Sequence, residues 1–129
     1  MYSNANGYLA YQKNKYETAS PHRLTLMLYT GAIKFVNQAE LSLQEGDYIK
    51  AHQHLIKAQD IIYELMASLN EQEGGEVATN LKNLYLYINE QLVQANLTKS
   101  VEPILEVKPL LQSIKEAWEA IGKDVAVGS

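Results

Sequence analysis

The sequence predicts an all-α protein, an antiparallel up-down four-helix bundle preceded by an extended N-terminal arm. Three observations carry that prediction. Apolar residues recur at spacings of three and four in four successive runs, the mark of a helix with one face turned inward. Capping residues, prolines and glycines fall between the runs, where helices start and stop. The connections are short, so consecutive helices lie antiparallel and hide their stripes against one another. The expected division is an arm over 1–19, a bundle over 20–122 and a flexible tail over 123–129.

The arm places Tyr2, Tyr8, Tyr11 and Tyr16 among polar residues with no sustained period. Ser20-Pro21 then supplies an N-cap and a proline whose missing N–H costs nothing in the first turn. Leu24, Leu28, Gly31/Ala32, Phe35, Ala39 and Leu43 follow, and Glu45-Gly46-Asp47 gives a glycine stop and a fresh cap, predicting a helix over 21–44. Tyr48, Ala51, Leu55, Ala58, Ile62, Leu65 and Leu69 predict the second, over 47–69. Asn70 to Gly75 reads as a polar turn, after which Val77, Leu81, Leu84, Ile88, Leu92 and Ala95 predict the third, over 76–97. Ile104, Val107, Leu111, Ile114, Trp118 and Ile121 predict the fourth, over 103–121, with Pro103 in its first turn and Gly122 as its stop. Pro109 inside that run removes a hydrogen bond and clashes with the preceding turn at about 3 kcal/mol, predicting a kink or a split. The expected core holds Leu28, Phe35, Leu55, Ile62, Leu81, Ile88, Leu92, Leu111, Ile114 and Trp118.

Composition narrows the function. A chain of 129 residues supports one core. The absence of cysteine excludes disulfides, thiolate nucleophiles and cysteine-ligated zinc and fits a reducing cytoplasm. The first residues carry neither a basic start nor an apolar run, and no stretch approaches a membrane span, so neither a signal peptide nor membrane insertion is expected. A net charge of -4, with basic residues scattered among acids, argues against nucleic acid as a partner.

Catalysis has no visible apparatus. His22, His52 and His54 lack metal-ligand spacing, and His52 and His54, two apart on a helix, point to different faces. They read as ordinary exposed helical histidines. Glu71, Glu73 and Glu76 read as a solvated acidic turn. No nucleophile elbow, phosphate loop or dinucleotide fingerprint occurs. The expectation is a protein that is not an enzyme, with no cofactor and no metal.

The informative feature is a surplus of apolar residues. Beyond the core stripes, the first helix adds Leu26, Tyr29, Ile33 and Val36, the second Ile49, Ile56, Tyr63 and Met66, and the third Tyr85, Leu86, Val93 and Leu97. Rows at helical spacing outside a core suit a guest helix lying in a groove. The plainer reading packs all of this surface internally or beneath the arm, with the tyrosine hydroxyls at wet bundle edges.

The stretch Thr18-Ala19-Ser20-Pro21-His22-Arg23-Leu24-Thr25-Leu26-Met27-Leu28-Tyr29-Thr30-Gly31-Ala32 resembles the opening of the flagellin chaperones, the FliS family. Tyr8-Leu9-Ala10-Tyr11, Lys57-Ala58-Gln59-Asp60-Ile61-Ile62, Leu84-Tyr85-Leu86-Tyr87-Ile88 with Gln94-Ala95-Asn96-Leu97, and Ala117-Trp118 are similar in order and spacing. The resemblance implies a cytoplasmic bundle that binds the disordered C-terminal segment of flagellin, blocks its premature polymerisation and delivers it to the flagellar export apparatus. It also points to the arm, so Tyr8 and Tyr11 join Ile49, Ile56, Tyr63, Leu86, Val93 and Leu97 as expected client-binding residues. Thr30, where relatives carry Asp or Asn, and Pro109 depart from the family pattern. The alternative is a structural bundle whose extra rows form a homodimer without a flagellin client.

Overall fold

A computed structural model describes residues 20–128, with side chains described as far as residue 122. Four helices follow in order: α1 (Pro21–Gln44), α2 (Tyr48–Ala67), α3 (Glu71–Thr98) and α4 (Glu102–Gly128). No strand occurs among the described residues. Tyr8 and Tyr11 lie outside them. Each helix packs on its neighbour in the chain and α4 closes against α1, the cyclic order of an up-down-up-down bundle.

The caps explain the boundaries. Ser20 accepts a hydrogen bond from the Arg23 N–H at 3.2 Å, Asp47 from Lys50 at 3.1 Å and Asn70 from Glu73 at 3.1 Å, each satisfying a donor that its helix cannot. Two boundaries differ from the sequence expectation. The segment after Asn70 is a turn of helix rather than a loop, because the Asn70 cap starts helical hydrogen bonding before the break arrives. The break is confined to Gly75, whose φ of 56° and ψ of -131° suit a residue without Cβ. The second difference is that α4 passes through Gly122 instead of stopping there. A side chain at 122 would run into the His22 ring, so this glycine permits a close approach of α4 to α1. Pro109 does not split α4. It lies on the exposed face with Leu105 one turn earlier, so the carbonyl deprived of its partner can turn to water.

The core runs the length of the bundle. Leu55, Ile62, Ile88, Leu92 and Leu111 are fully buried as expected, and Leu28 and Phe35 join them. Full burial of each such side chain contributes about 1.5–3 kcal/mol. Leu81, Ile114 and Trp118, expected in the core, are partly buried against it. Trp118 sits at the rim because its indole N–H donates to the His22 carbonyl at 3.0 Å while its ring stacks on the His22 imidazole, with 5.0 Å between centroids. Together with the Lys108–Glu40 ion pair at 2.6 Å, this contact ties α4 to α1.

Candidate functional site

The surplus apolar residues divide into two groups. Tyr29, Val36 and Tyr85, expected on outer rows, belong to the core. The tyrosines can be buried because their hydroxyls hydrogen-bond to one another across the bundle, leaving neither phenolic oxygen unpaired. Burial raises the pKa of both. Leu26, Ile33 and Met66 are half-buried. The plainer reading therefore holds for the burial of Tyr29, Val36 and Tyr85, but the two hydroxyls are paired inside the bundle rather than at wet edges as expected.

Along the seam between α2 and α3 the surplus does not pack inside the bundle, and the arm that the plainer reading would lay over it lies outside the described residues. Ile49, Tyr63, Leu86, Val93 and Leu97 are exposed and Ile56 is half-buried, with Ile49 at 76% and Leu97 at 72% of full exposure. A single hydrogen bond fixes how these residues face one another. The Asn96 amide lies 2.8 Å from His52 Nδ1 across the seam. Lys99 Nζ donates to Asn96 Oδ1 at 2.7 Å, so the Asn96 Nδ2 is the donor toward His52 and the imidazole Nδ1 accepts. With the two helices antiparallel, two turns forward from His52 and two turns back from Asn96 bring Gln59 opposite Asn89. Both are buried.

The floor of the seam is thus a polar line, His52–Asn96 then Gln59–Asn89. Residues three and four away on a helix form the neighbouring ridge. On α2 that ridge is Ile49, Ile56 and Tyr63; on α3 it is Leu86 and Val93, continued one turn beyond Val93 by Leu97. In the same register Ile56 comes level with Val93 and Tyr63 with Leu86, while Ile49 and Leu97 end the rows at the same end of the bundle. Two apolar ridges with a polar floor between them make a shallow trough on the outer face.

The remaining candidates are structural. Among the described residues no three His, Asp or Glu side chains gather closely enough to hold a metal ion. The histidines are half-buried rather than exposed, and each has packing or bonding of its own. His52 serves the seam floor, and His22 stacks on Trp118. His54, on the other side of α2, lies over Phe35 with 6.3 Å between centroids. Burial, followed by the nearby Lys57 and Lys50, lowers its pKa. Glu71, Glu73 and Glu76 are exposed as expected, and Glu71 pairs with Lys82 at 3.3 Å. No described helix is long and apolar enough to cross a membrane.

The reading from sequence missed the polar floor. Gln59 and Asn89 sit in amphipathic runs where amides ordinarily mark the wet face. The signal available was their position, each one turn from a ridge residue on a helix otherwise apolar on that side.

Fold and seam define a class, an up-down four-helix bundle that exposes apolar rows along one outer face. The family profile described as flagellar protein FliS matches residues 4–125. The flagellar secretion chaperone FliS of Salmonella typhimurium is 43% identical over 126 residues, covering 94% of this chain and 93% of that one. The Bacillus subtilis chaperone of the same name is 38% identical over 114 residues, covering 88% and 84%, and that of Vibrio cholerae is 34% identical over 116, covering 87% and 85%. The chain belongs to the FliS family of flagellar secretion chaperones.

Proposed function

We propose that the protein is a cytoplasmic export chaperone without catalytic activity, and that its client is the disordered C-terminal region of flagellin. The client lies as an amphipathic helix in the α2–α3 trough, is kept from premature polymerisation there and is delivered to the flagellar export apparatus. The observation that carries this reading is the pair of exposed ridges, Ile49–Ile56–Tyr63 and Leu86–Val93–Leu97, set level across one seam. A guest helix presenting apolar residues at three- and four-residue spacing meets both ridges at once.

The physics of holding and release follows. A segment disordered when free spends part of the contact energy on becoming ordered, which moderates affinity across a long interface. Release then needs no bond chemistry, only competition or pulling by the export apparatus. Covering the client's apolar face removes the surface through which copies would associate. Tyr8 and Tyr11 of the arm are proposed to join the interface, since large rings in a polar segment serve as anchors.

Equimolar mixing with the flagellin C-terminal segment, followed on gel filtration, tests the proposal. The expected result is a heterodimer, and its loss in Ile56→Asp with the circular dichroism spectrum intact. A homodimer indifferent to the segment would identify the ridges as a self-association surface instead.

A further inference from the structure

We infer that the trough selects a guest helix carrying a side-chain carboxamide, Asn or Gln, in the middle of its apolar face, and that Asn89 is the residue that recognises it. This rests on the proposed placement of the client in the α2–α3 trough. The observation behind it is independent of the ridges. Asn89 is 5% exposed, and neither its Nδ2 nor its Oδ1 has a hydrogen-bond partner. Leaving a buried amide unpaired costs stability, and such groups in folded proteins have a reason to persist.

Position supplies the reason. Asn89 lies between Leu86 and Val93 on α3, opposite Gln59, which lies between Ile56 and Tyr63 on α2. The two amides occupy the centre of a four-cornered apolar frame. Elsewhere on the floor the equivalent pair is closed, since Asn96 spends its donor on His52 and its acceptor on Lys99. On this floor Asn89 is the amide whose two polar atoms are both buried and without a partner. Tyr63 is the most exposed corner of the frame, and a guest side chain reaches Asn89 only if the cover over its buried amide moves aside.

The guest's chemistry follows from what Asn89 offers, one donor face and one acceptor face in a fixed fork. A helical guest has satisfied its own backbone, so the complement must come from a side chain. A carboxamide returns both bonds in one planar pair; an apolar side chain there leaves Asn89 unpaired, and a carboxylate meets no cation. The trough thus rejects helices that are apolar throughout, a selectivity that hydrophobic ridges alone do not provide.

The test is a double-mutant cycle between Asn89→Leu and a series of flagellin C-terminal peptides in which each Asn or Gln is replaced in turn by Leu, read by calorimetry. Asn89→Leu is expected to weaken the parent peptide roughly tenfold, as is one peptide substitution, with the two together costing little more than either. The Asn89 side-chain NH2 resonances are expected to shift on binding. Asn89→Ala, in case the larger residue disturbs packing, is expected to give the same coupling. If Ile56→Asp abolishes binding while every cycle is additive and the amide resonances stay put, the recognition role is wrong and the trough stands. If Ile56→Asp binds normally, the trough itself is wrong.

Discussion

The seam between α4 and α1 and the seam between α2 and α3 are built from the same kind of amphipathic helix, yet one is closed and the other open. Across the first, Lys108 meets Glu40 at 2.6 Å, the Trp118 indole caps the His22 carbonyl, and Gly122 gives way to the His22 ring. Polar groups that cross this seam are paired. Across the second, one hydrogen bond is made, an amide is left unpaired beneath the surface, and two apolar ridges face outward. The difference separates residues spent on holding the bundle together from residues held in reserve. Stability should therefore respond to the closed seam and the shared core, and binding to the open one.

Breaking what both seams share should have the largest effect. Leu55→Ala or Ile62→Ala removes a fully buried side chain and should cost about 2–5 kcal/mol, read as a lowered midpoint in urea. An unchanged midpoint would place the core elsewhere.

Next comes the closed seam. Trp118→Ala loses the indole hydrogen bond and the stack on His22, and should cost roughly 1–3 kcal/mol in stability, less than a fully buried aromatic because the ring is only partly covered. Lys108→Ala should cost less, at most about 1 kcal/mol, because the ion pair lies partly in water. Neither change should alter affinity for the flagellin segment by more than about twofold once the fraction folded is allowed for, since neither residue touches the trough.

These contrasts also explain what the sequence revealed. Helix spans and the core positions Leu55, Ile62, Ile88, Leu92 and Leu111 were legible because periodicity reports which face is buried. Ser20, Asp47 and Pro21 were legible because a cap has a local chemical cause. Periodicity does not report how wide the buried face is. Tyr29, Val36 and Tyr85 looked like a second row, and the structure buries them because two tyrosines can pay for each other's hydroxyls. That pairing joins positions far apart in sequence. Ile49, Tyr63, Leu86, Val93 and Leu97 had the same signature and remain outside. Asn89 and Gln59 were invisible for the opposite reason, since an amide in an amphipathic run implies water unless the facing helix is known. Gly122 and the break at Gly75 required tertiary contact and backbone geometry respectively. Tyr8 and Tyr11 lie outside the described residues, and their role remains part of the proposal.

A smaller effect sharpens the picture on the α1 side of α2. Burial and the neighbouring Lys57 and Lys50 hold the His54 imidazole below its ordinary 6.5, so the folded protein binds fewer protons than the unfolded chain. Stability should then be lost as pH falls through the unfolded value near 6.5 and stop changing below the lower folded value. His54→Phe should flatten that part of the pH profile while leaving client affinity unchanged, because His54 faces Phe35 and not the trough.

The most direct measurement is calorimetric titration of the flagellin C-terminal segment into the parent protein and into Leu97→Asp, with urea unfolding of both. Leu97 is 72% exposed at the end of its ridge, so the substitution should change stability by no more than about 0.5 kcal/mol. The account predicts one-to-one binding to the parent and at least roughly tenfold weaker binding to the variant at equal stability, because a charge placed on the ridge must be desolvated by the guest. Equal affinity for both proteins would contradict it and place the client on another face of the bundle.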